Sequence, residues 1–306
     1  MYLQQAFRGN NKFSYYLLGI ILLFIATQII GGIPLVIAIG INNILNPDIV
    51  PTILNSFGLN QNLGLALMLF PFVVGCFTIY YIIKKIHNKK FKDVLTTRTK
   101  FDFKRAGIGA LIWAGILFIS SIPIFLNTDQ SIVFQFDPIP FFVLLVICVL
   151  ILPFQTSFEE LVFRGYFMQG LAVATKNRWF PLLITSITFG LMHAANPEVA
   201  KFGFWMAMPS YIIMGLVMGL VAVMDNGLEI SLGMHFSNNF ISAIFFTSTA
   251  SALQTPALFK DTDPSMSSAD NISMVITSIV FLLICSKVFK WKDWGKIFRK
   301  IEVPQE

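Results

Sequence analysis

The chain has 306 residues, of which 56% are hydrophobic and only 12% charged, with a mean hydropathy of +0.73 and a net charge of +6. A soluble domain carries about twice that share of charge, so a water-soluble globule is excluded and most of the surface must face lipid. The basic residues lie in short stretches beside apolar runs, without interleaved aromatics on a polar surface, which points to membrane topology rather than nucleic-acid binding.

A membrane-crossing helix needs about 20 mostly apolar residues. In chain order the apolar segments are 16–42, 63–84, 106–126, 139–163, 180–196, 202–224, 228–250 and 272–290. These predict an all-α integral membrane protein, a bundle of about eight transmembrane helices in a lipid bilayer. The first run is too long for the core of a signal peptide and reads as a retained span. The fourth is expected to continue past 163 as a long helix kinked near Pro153. Gly215 and Gly219, four apart, predict close helix packing. Cys76, Cys148 and Cys285 lie in apolar runs with no paired spacing and read as small buried hydrophobes.

Lys and Arg set the orientation. Twenty of the 22 fall in four stretches: the N-terminal tail, Lys84 to Arg105, Arg164 to Arg178, and the tail from Lys287. Only Lys201 and Lys260 remain. Eight spans put all four stretches on one side, so both termini are expected in the cytoplasm and the chain in the cell membrane. His87 lies in the basic loop and reads as solvated. Asp225 and Glu229 read as interfacial.

Ionisable side chains inside lipid are costly and mark function. Three segments carry them: Phe154-Gln-Thr-Ser-Phe-Glu-Glu-Leu-Val-Phe-Arg164, Phe189-Gly-Leu-Met-His193-Ala-Ala-Asn196 and His235-Phe-Ser-Asn-Asn239. Glu160 and Arg164 are four apart and can pair on one face, while Glu159 is turned about 100° away. His235 and Asn239 are also four apart. Counting about 1.5 Å per residue from the turn expected near Lys176 to Trp179 puts Glu159 and His193 within about 5 Å of one level. Asn196 before Pro197 reads as a helix boundary, and Asn238 as a packing contact.

This set suits amide hydrolysis. A glutamate in an apolar site can take a proton from water near neutral pH. His193 can share that water, His235 and Asn239 can donate to the oxyanion, and Arg164 can neutralise one carboxylate. Glu159, His193 and His235 are also a donor set for Zn²⁺ with an open position. Residue types alone leave metal-bound and carboxylate-activated water as open alternatives. Intramembrane carboxylates and histidines also make proton relays, so a proton-coupled transporter competes, although no inverted repeat is evident. A non-catalytic immunity or scaffold protein is the third class.

The motifs Glu159-Glu160-Leu-Val-Phe-Arg164, Phe189-Gly-Leu-Met-His193 and His235-Phe-Ser-Asn-Asn239, in this order, resemble the EExxxR, FxxxH and HxxxN marks of the CPBP intramembrane proteases. That family comprises the type II CAAX prenyl endopeptidases and the Abi, bacteriocin-processing proteins. The resemblance covers roughly 139–250, a catalytic helical core. Residues 1–138 would supply N-terminal helices and the basic loop, and 251–306 the final span and basic tail. It implies a helical bundle with a cytosol-facing polar cavity and cleavage of a membrane-associated peptide or protein. It makes Glu159 the water activator with His193, and His235 and Asn239 the oxyanion donors or metal ligands. Family membership leaves a zinc requirement open.

Overall fold

A computed structural model describes residues 1–126 and 131–303. All eight expected apolar segments are helical. Six helices are long and apolar enough to cross a membrane: α1 (Phe13–Leu45), α2 (Gln61–Ile86), α3 (Phe103–Leu126), α4 (Pro138–Thr175), α6 (Phe204–Asp225) and α8 (Ser268–Val288). The other two, α5 (Trp179–Leu191) and α7 (Glu229–Phe245), are shorter. Three strands, β1 (Ile132–Phe134), β2 (Phe246–Ser248) and β3 (Phe259–Asp261), form a sheet in the order β1-β3-β2, antiparallel then parallel.

The long fourth helix carries the expected kink. Pro153 has no N–H for the i−4 carbonyl, and its ring crowds that carbonyl. The helix breaks just before it, at Ile151 (φ −110°, ψ −39°). Further on, Leu161–Phe167 widens into a π turn, a feature that clusters at functional sites. The helix ends at Lys176 in the left-handed conformation.

Glycines let the helices around α4 close up. A Cβ on Gly215 or Gly219 of α6 would come within 2.9 Å of Ser186 O or 2.5 Å of Leu182 Cδ1 on α5. A Cβ on Gly233 of α7 would lie 1.9 Å from Ala106 O on α3. Trp113 of α3 and Phe281 of α8 meet edge to face in the core behind α7. Cys148 and Cys285 are buried and Cys76 half-buried, all free.

The four basic stretches meet at one end of the bundle, as their charge pattern anticipates. Arg98 reaches Asp225 (2.7 Å) and Glu229 (3.1 Å), and Arg105 reaches Asp225 (2.6 Å). Trp291 Nε1 donates to Asp225 Oδ1, and Arg178 donates to Lys296 O. Asp225 and Glu229, expected at the interface, are buried and paired at this basic end. The N-terminal residues Tyr2–Phe7 form a 3-10 helix whose Tyr2, Leu3 and Ala6 are buried in the same end.

His87 departs most from its sequence reading. It is fully buried, not solvated. Its Nδ1 meets Asn10 O and its Nε2 meets Tyr166 Oη, both at 2.7 Å. Beside it, buried Lys89 donates to Ala6 O and Tyr16 Oη. Tyr166 sits on the π turn of α4, so this cluster ties the N-terminal segment to the helix that carries the glutamates.

Two predictions follow from this packing. Helix propensity favours Ala over Gly by about 1 kcal/mol, but overpacking against a backbone oxygen costs about 1–3 kcal/mol. Gly233→Ala should therefore lower the melting temperature in detergent. Gly115→Ala, with nothing within 4 Å of its added Cβ, should not, and equal melting of the two variants would contradict the α3–α7 contact.

Burial pushes His87 down to about 4 and Lys89 down to about 7 from ordinary values of 6.5 and 10.5. In each window the unfolded chain binds more protons than the folded one, so stability rises with pH through both. Melting temperature should climb from about pH 5 to about pH 9. Lys89→Met should flatten the upper part, and an unchanged slope in that variant would refute the assignment.

Candidate active site

Glu160 and Arg164 form a salt bridge of 2.7 Å on α4, and neither side chain has any exposed surface. Arg164 Nη2 also donates to Gly215 O (3.0 Å). Its guanidinium lies over the Phe189 ring, 4.4 Å from the centroid. From α7, His235 Nδ1 stands 2.9 Å from the same Glu160 oxygen. Because a carboxylate accepts, His235 donates through Nδ1–H.

The other ring nitrogen, His235 Nε2, faces Glu159 Oε2 at 3.5 Å. The two carboxylates thus stand on opposite nitrogens of one imidazole. Glu159 Oε2 is buried and receives no hydrogen bond from the described residues, and neither does Arg164 Nε make one. Glu159 Oε1 accepts from Gln155 Nε2, and Gln155 Oε1 accepts from Asn239 Nδ2 (2.9 Å). Five of the six expected residues, Glu159, Glu160, Arg164, His235 and Asn239, therefore belong to one connected cluster.

His193 stands at its rim. It follows α5 in a turn that leads through Asn196 into the short helix Pro197–Phe202. Its Nδ1 donates to Phe189 O (2.8 Å), and its ring stacks on Tyr211 at 4.5 Å and 18°. In the neutral ring Nε2 keeps a lone pair. Phe189 lies between the two histidines, 4.9 Å from His193 and 6.0 Å from His235. Asn196 Nδ2 donates to Tyr211 Oη, at the helix boundary expected of it.

Gln155 is the member that motif reasoning missed. Its only signal is its place one turn before Glu159 in an apolar run. Asn238, expected to pack, accepts from Trp113 Nε1 (3.1 Å) and donates to Asn239 Oδ1 (3.0 Å).

The cluster was expected to open on the basic side, but in this conformation the N-terminal segment lies across that side. Tyr2, 1% exposed, donates through Oη to Val94 O (2.6 Å), with Arg164 O at 3.2 Å. Glu159, His193 and Asn239 keep some exposure, while Glu160 and Arg164 keep none.

Glu159, His193 and His235 are the residues a zinc ion would use. Among the described residues, no three His, Cys, Asp or Glu side chains gather closely enough to hold a metal ion. Glu159 and His235 meet, but His193 stands off beyond Phe189. This donor set does not fit a metal in the present arrangement.

Residues 137–241 match the family model described as type II CAAX prenyl endopeptidase Rce1-like. The chain is also 28% identical over 248 residues to the uncharacterized protein YyaK of Bacillus subtilis (strain 168), covering 78% of this chain and 80% of that one. No solved structure matches. The matched segment contains all six expected site residues, so the likeness to the CPBP intramembrane proteases read from three short motifs is a likeness to their Rce1-like, type II CAAX prenyl endopeptidase members, carried by residues 137–241.

Proposed function

We propose that this protein is an intramembrane endopeptidase that hydrolyses a peptide bond of a membrane-associated substrate near the cytoplasmic face. The observation that carries this reading is the buried Glu159–His235–Glu160–Arg164 cluster, in which Glu159 Oε2 faces an imidazole nitrogen at 3.5 Å without a hydrogen bond. The Rce1-like match supports hydrolase chemistry of this type. The one-sided basic stretches support placing that end, and both termini, in the cytoplasm of a cell membrane.

Charge counting assigns the roles. Two carboxylates and one guanidinium leave one negative charge in a low-dielectric interior, which is costly. A proton on His235 makes the four groups neutral and gives the ring two N–H donors. Nδ1–H holds Glu160, while Nε2 lies 3.5 Å from Glu159 Oε2 without a hydrogen bond to it, and its N–H is left for the substrate carbonyl. Glu159 Oε2 takes a proton from water as its oxygen attacks the peptide carbonyl carbon. His193 Nε2 accepts the water's second hydrogen and orients it. His235 Nε2–H and the second N–H of Asn239 meet the charge that develops on the carbonyl oxygen. The proton on Glu159 then passes to the departing amide nitrogen, which breaks the C–N bond and restores the carboxylate.

The test is cleavage of a membrane-anchored peptide library by the purified protein in liposomes. A positioned general base contributes about 10²–10⁴-fold, so Glu159→Gln should lose at least about 100-fold in rate while melting like the wild type. Equal cleavage by both proteins would remove Glu159 from the mechanism. Proton flux that Glu159→Gln abolishes, without cleavage, would favour a transporter. A folded wild type with neither activity would favour a scaffold. Cleavage by the wild type should survive a zinc chelator, and loss restored by Zn²⁺ would replace the carboxylate-activated water with a metal-bound one.

Arg164→Ala should behave differently from Glu159→Gln. It removes the guanidinium partner of buried Glu160 and leaves His235 to hold it. Breaking a buried pair costs about 3–5 kcal/mol, so the variant should fail to fold rather than fold into a slow enzyme. A stable, well-expressed Arg164→Ala protein would show that the ion pair does not hold the site together.

A further inference from the structure

Gln155 is 7% exposed and stands one helical turn before Glu159. It is the last link of a hydrogen-bond chain that crosses three helices. Trp113 Nε1 of α3 donates to Asn238 Oδ1, and Asn238 Nδ2 donates to Asn239 Oδ1, both on α7. Asn239 Nδ2 donates to Gln155 Oε1, and Gln155 Nε2 donates to Glu159 Oε1, both on α4. An indole N–H can only donate, and an ionised carboxylate can only accept. The chain is anchored by a pure donor at one end and a pure acceptor at the other. The orientation of each amide between them follows from its neighbour, and only one direction satisfies all four bonds.

We infer that Gln155 is a positioning residue for Glu159. It holds Oε1, so the carboxylate cannot rotate freely and Oε2 stays turned toward His235 Nε2. Because Gln155 also occupies one Nδ2 hydrogen of Asn239, it sets where the second one points. The catalytic consequence rests on the protease reading above, whereas the positioning itself does not. A side chain that only filled space here would have no need of an amide, whereas both ends of the Gln155 amide are hydrogen-bonded.

Two readouts test this. The first needs no substrate. An apolar carbodiimide labels protonated carboxyls, and mass spectrometry of peptides counts the label on Glu159 and Glu160 separately. Gln155→Leu removes a donor to a charged acceptor and should raise the labelling rate of Glu159 by about ten-fold. Glu160 should stay unlabelled, because Arg164 and His235 still hold it. Asn239→Leu, which releases Gln155 from the far side, should raise Glu159 labelling by a smaller factor. Unchanged labelling of Glu159 in Gln155→Leu would overturn the inference. So would labelling of both glutamates together, which would show a loosened helix. Should Gln155→Leu fail to fold, Asn239→Leu alone decides, with unchanged Glu159 labelling as the overturning result.

The second readout is turnover of the peptide library. Gln155→Leu should lower kcat by at least about ten-fold with little change in KM. Added to Glu159→Gln it should cost nothing further, because it acts through Glu159. Independent, multiplying losses would overturn the inference. A wild type that cleaves nothing would sink the protease reading and leave the labelling result to judge Gln155.

Discussion

The ion pair between Glu160 and Arg164 is the interaction on which the rest of this structure depends. Desolvating two charges in a membrane interior costs several kcal/mol per ion, and direct attraction repays it only with good geometry and further hydrogen bonds. Here the further bonds come from three directions. His235 Nδ1 reaches Glu160 from α7, Gly215 O reaches Arg164 from α6, and the Phe189 face lies against the guanidinium from α5. Each of these demands close helix approach. The glycine at 215 lets α6 approach Ser186 and Phe189 of α5, and its backbone carbonyl lies 3.0 Å from the buried cation.

That pair also explains why Glu159 is different from its neighbour. Arg164 makes its salt bridge to Glu160, and Glu159 has as its ion-pair neighbour an imidazole shared with Glu160. Consecutive residues on one helix point about 100° apart, so one carboxylate is locked into the scaffold and the other faces the rim. The π turn that begins at Leu161 lies between Glu160 and the buried cluster of Tyr166, His87 and Lys89. The glutamates are thereby braced from the basic end by the N-terminal segment, as well as from α5, α6 and α7.

Much of this was legible in the sequence, because the bilayer imposes long apolar runs and makes polar residues within them conspicuous. The eight segments, the kink before Pro153, the Gly215 and Gly219 packing and the pairing of Glu160 with Arg164 all follow from local spacing. His87 was not legible. Its neighbours in sequence are lysines, which predict a solvated loop, while its partner Tyr166 lies 79 residues away. Gln155 was hidden for a related reason. A single amide in an apolar run is common as interhelical glue, and only Asn239, 84 residues on, shows that it belongs to the site. The N-terminal helix that covers the basic side was also invisible, since residues 2–7 are too few to carry a periodic signal and their burial depends on α4 and the basic loop.

Three of the buried polar clusters differ in a way that separates scaffold from site. At the basic end, Asp225 and Glu229 face Arg98 and Arg105, with Trp291 completing the set. Around Tyr166, both nitrogens of His87 are occupied and Lys89 has two acceptors. Those two clusters are closed, with each strong donor matched to an acceptor, as expected of groups whose task is to hold helices together. The Glu159 cluster is not closed. It leaves two buried carboxylate oxygens, Glu159 Oε2 and Glu160 Oε2, and one guanidinium nitrogen, Arg164 Nε, without hydrogen-bond partners among the described residues. An unsatisfied acceptor in a low-dielectric interior costs about 1–3 kcal/mol or more. An incoming water or carbonyl could supply the bond missing at Glu159 Oε2, as the proposed reaction requires.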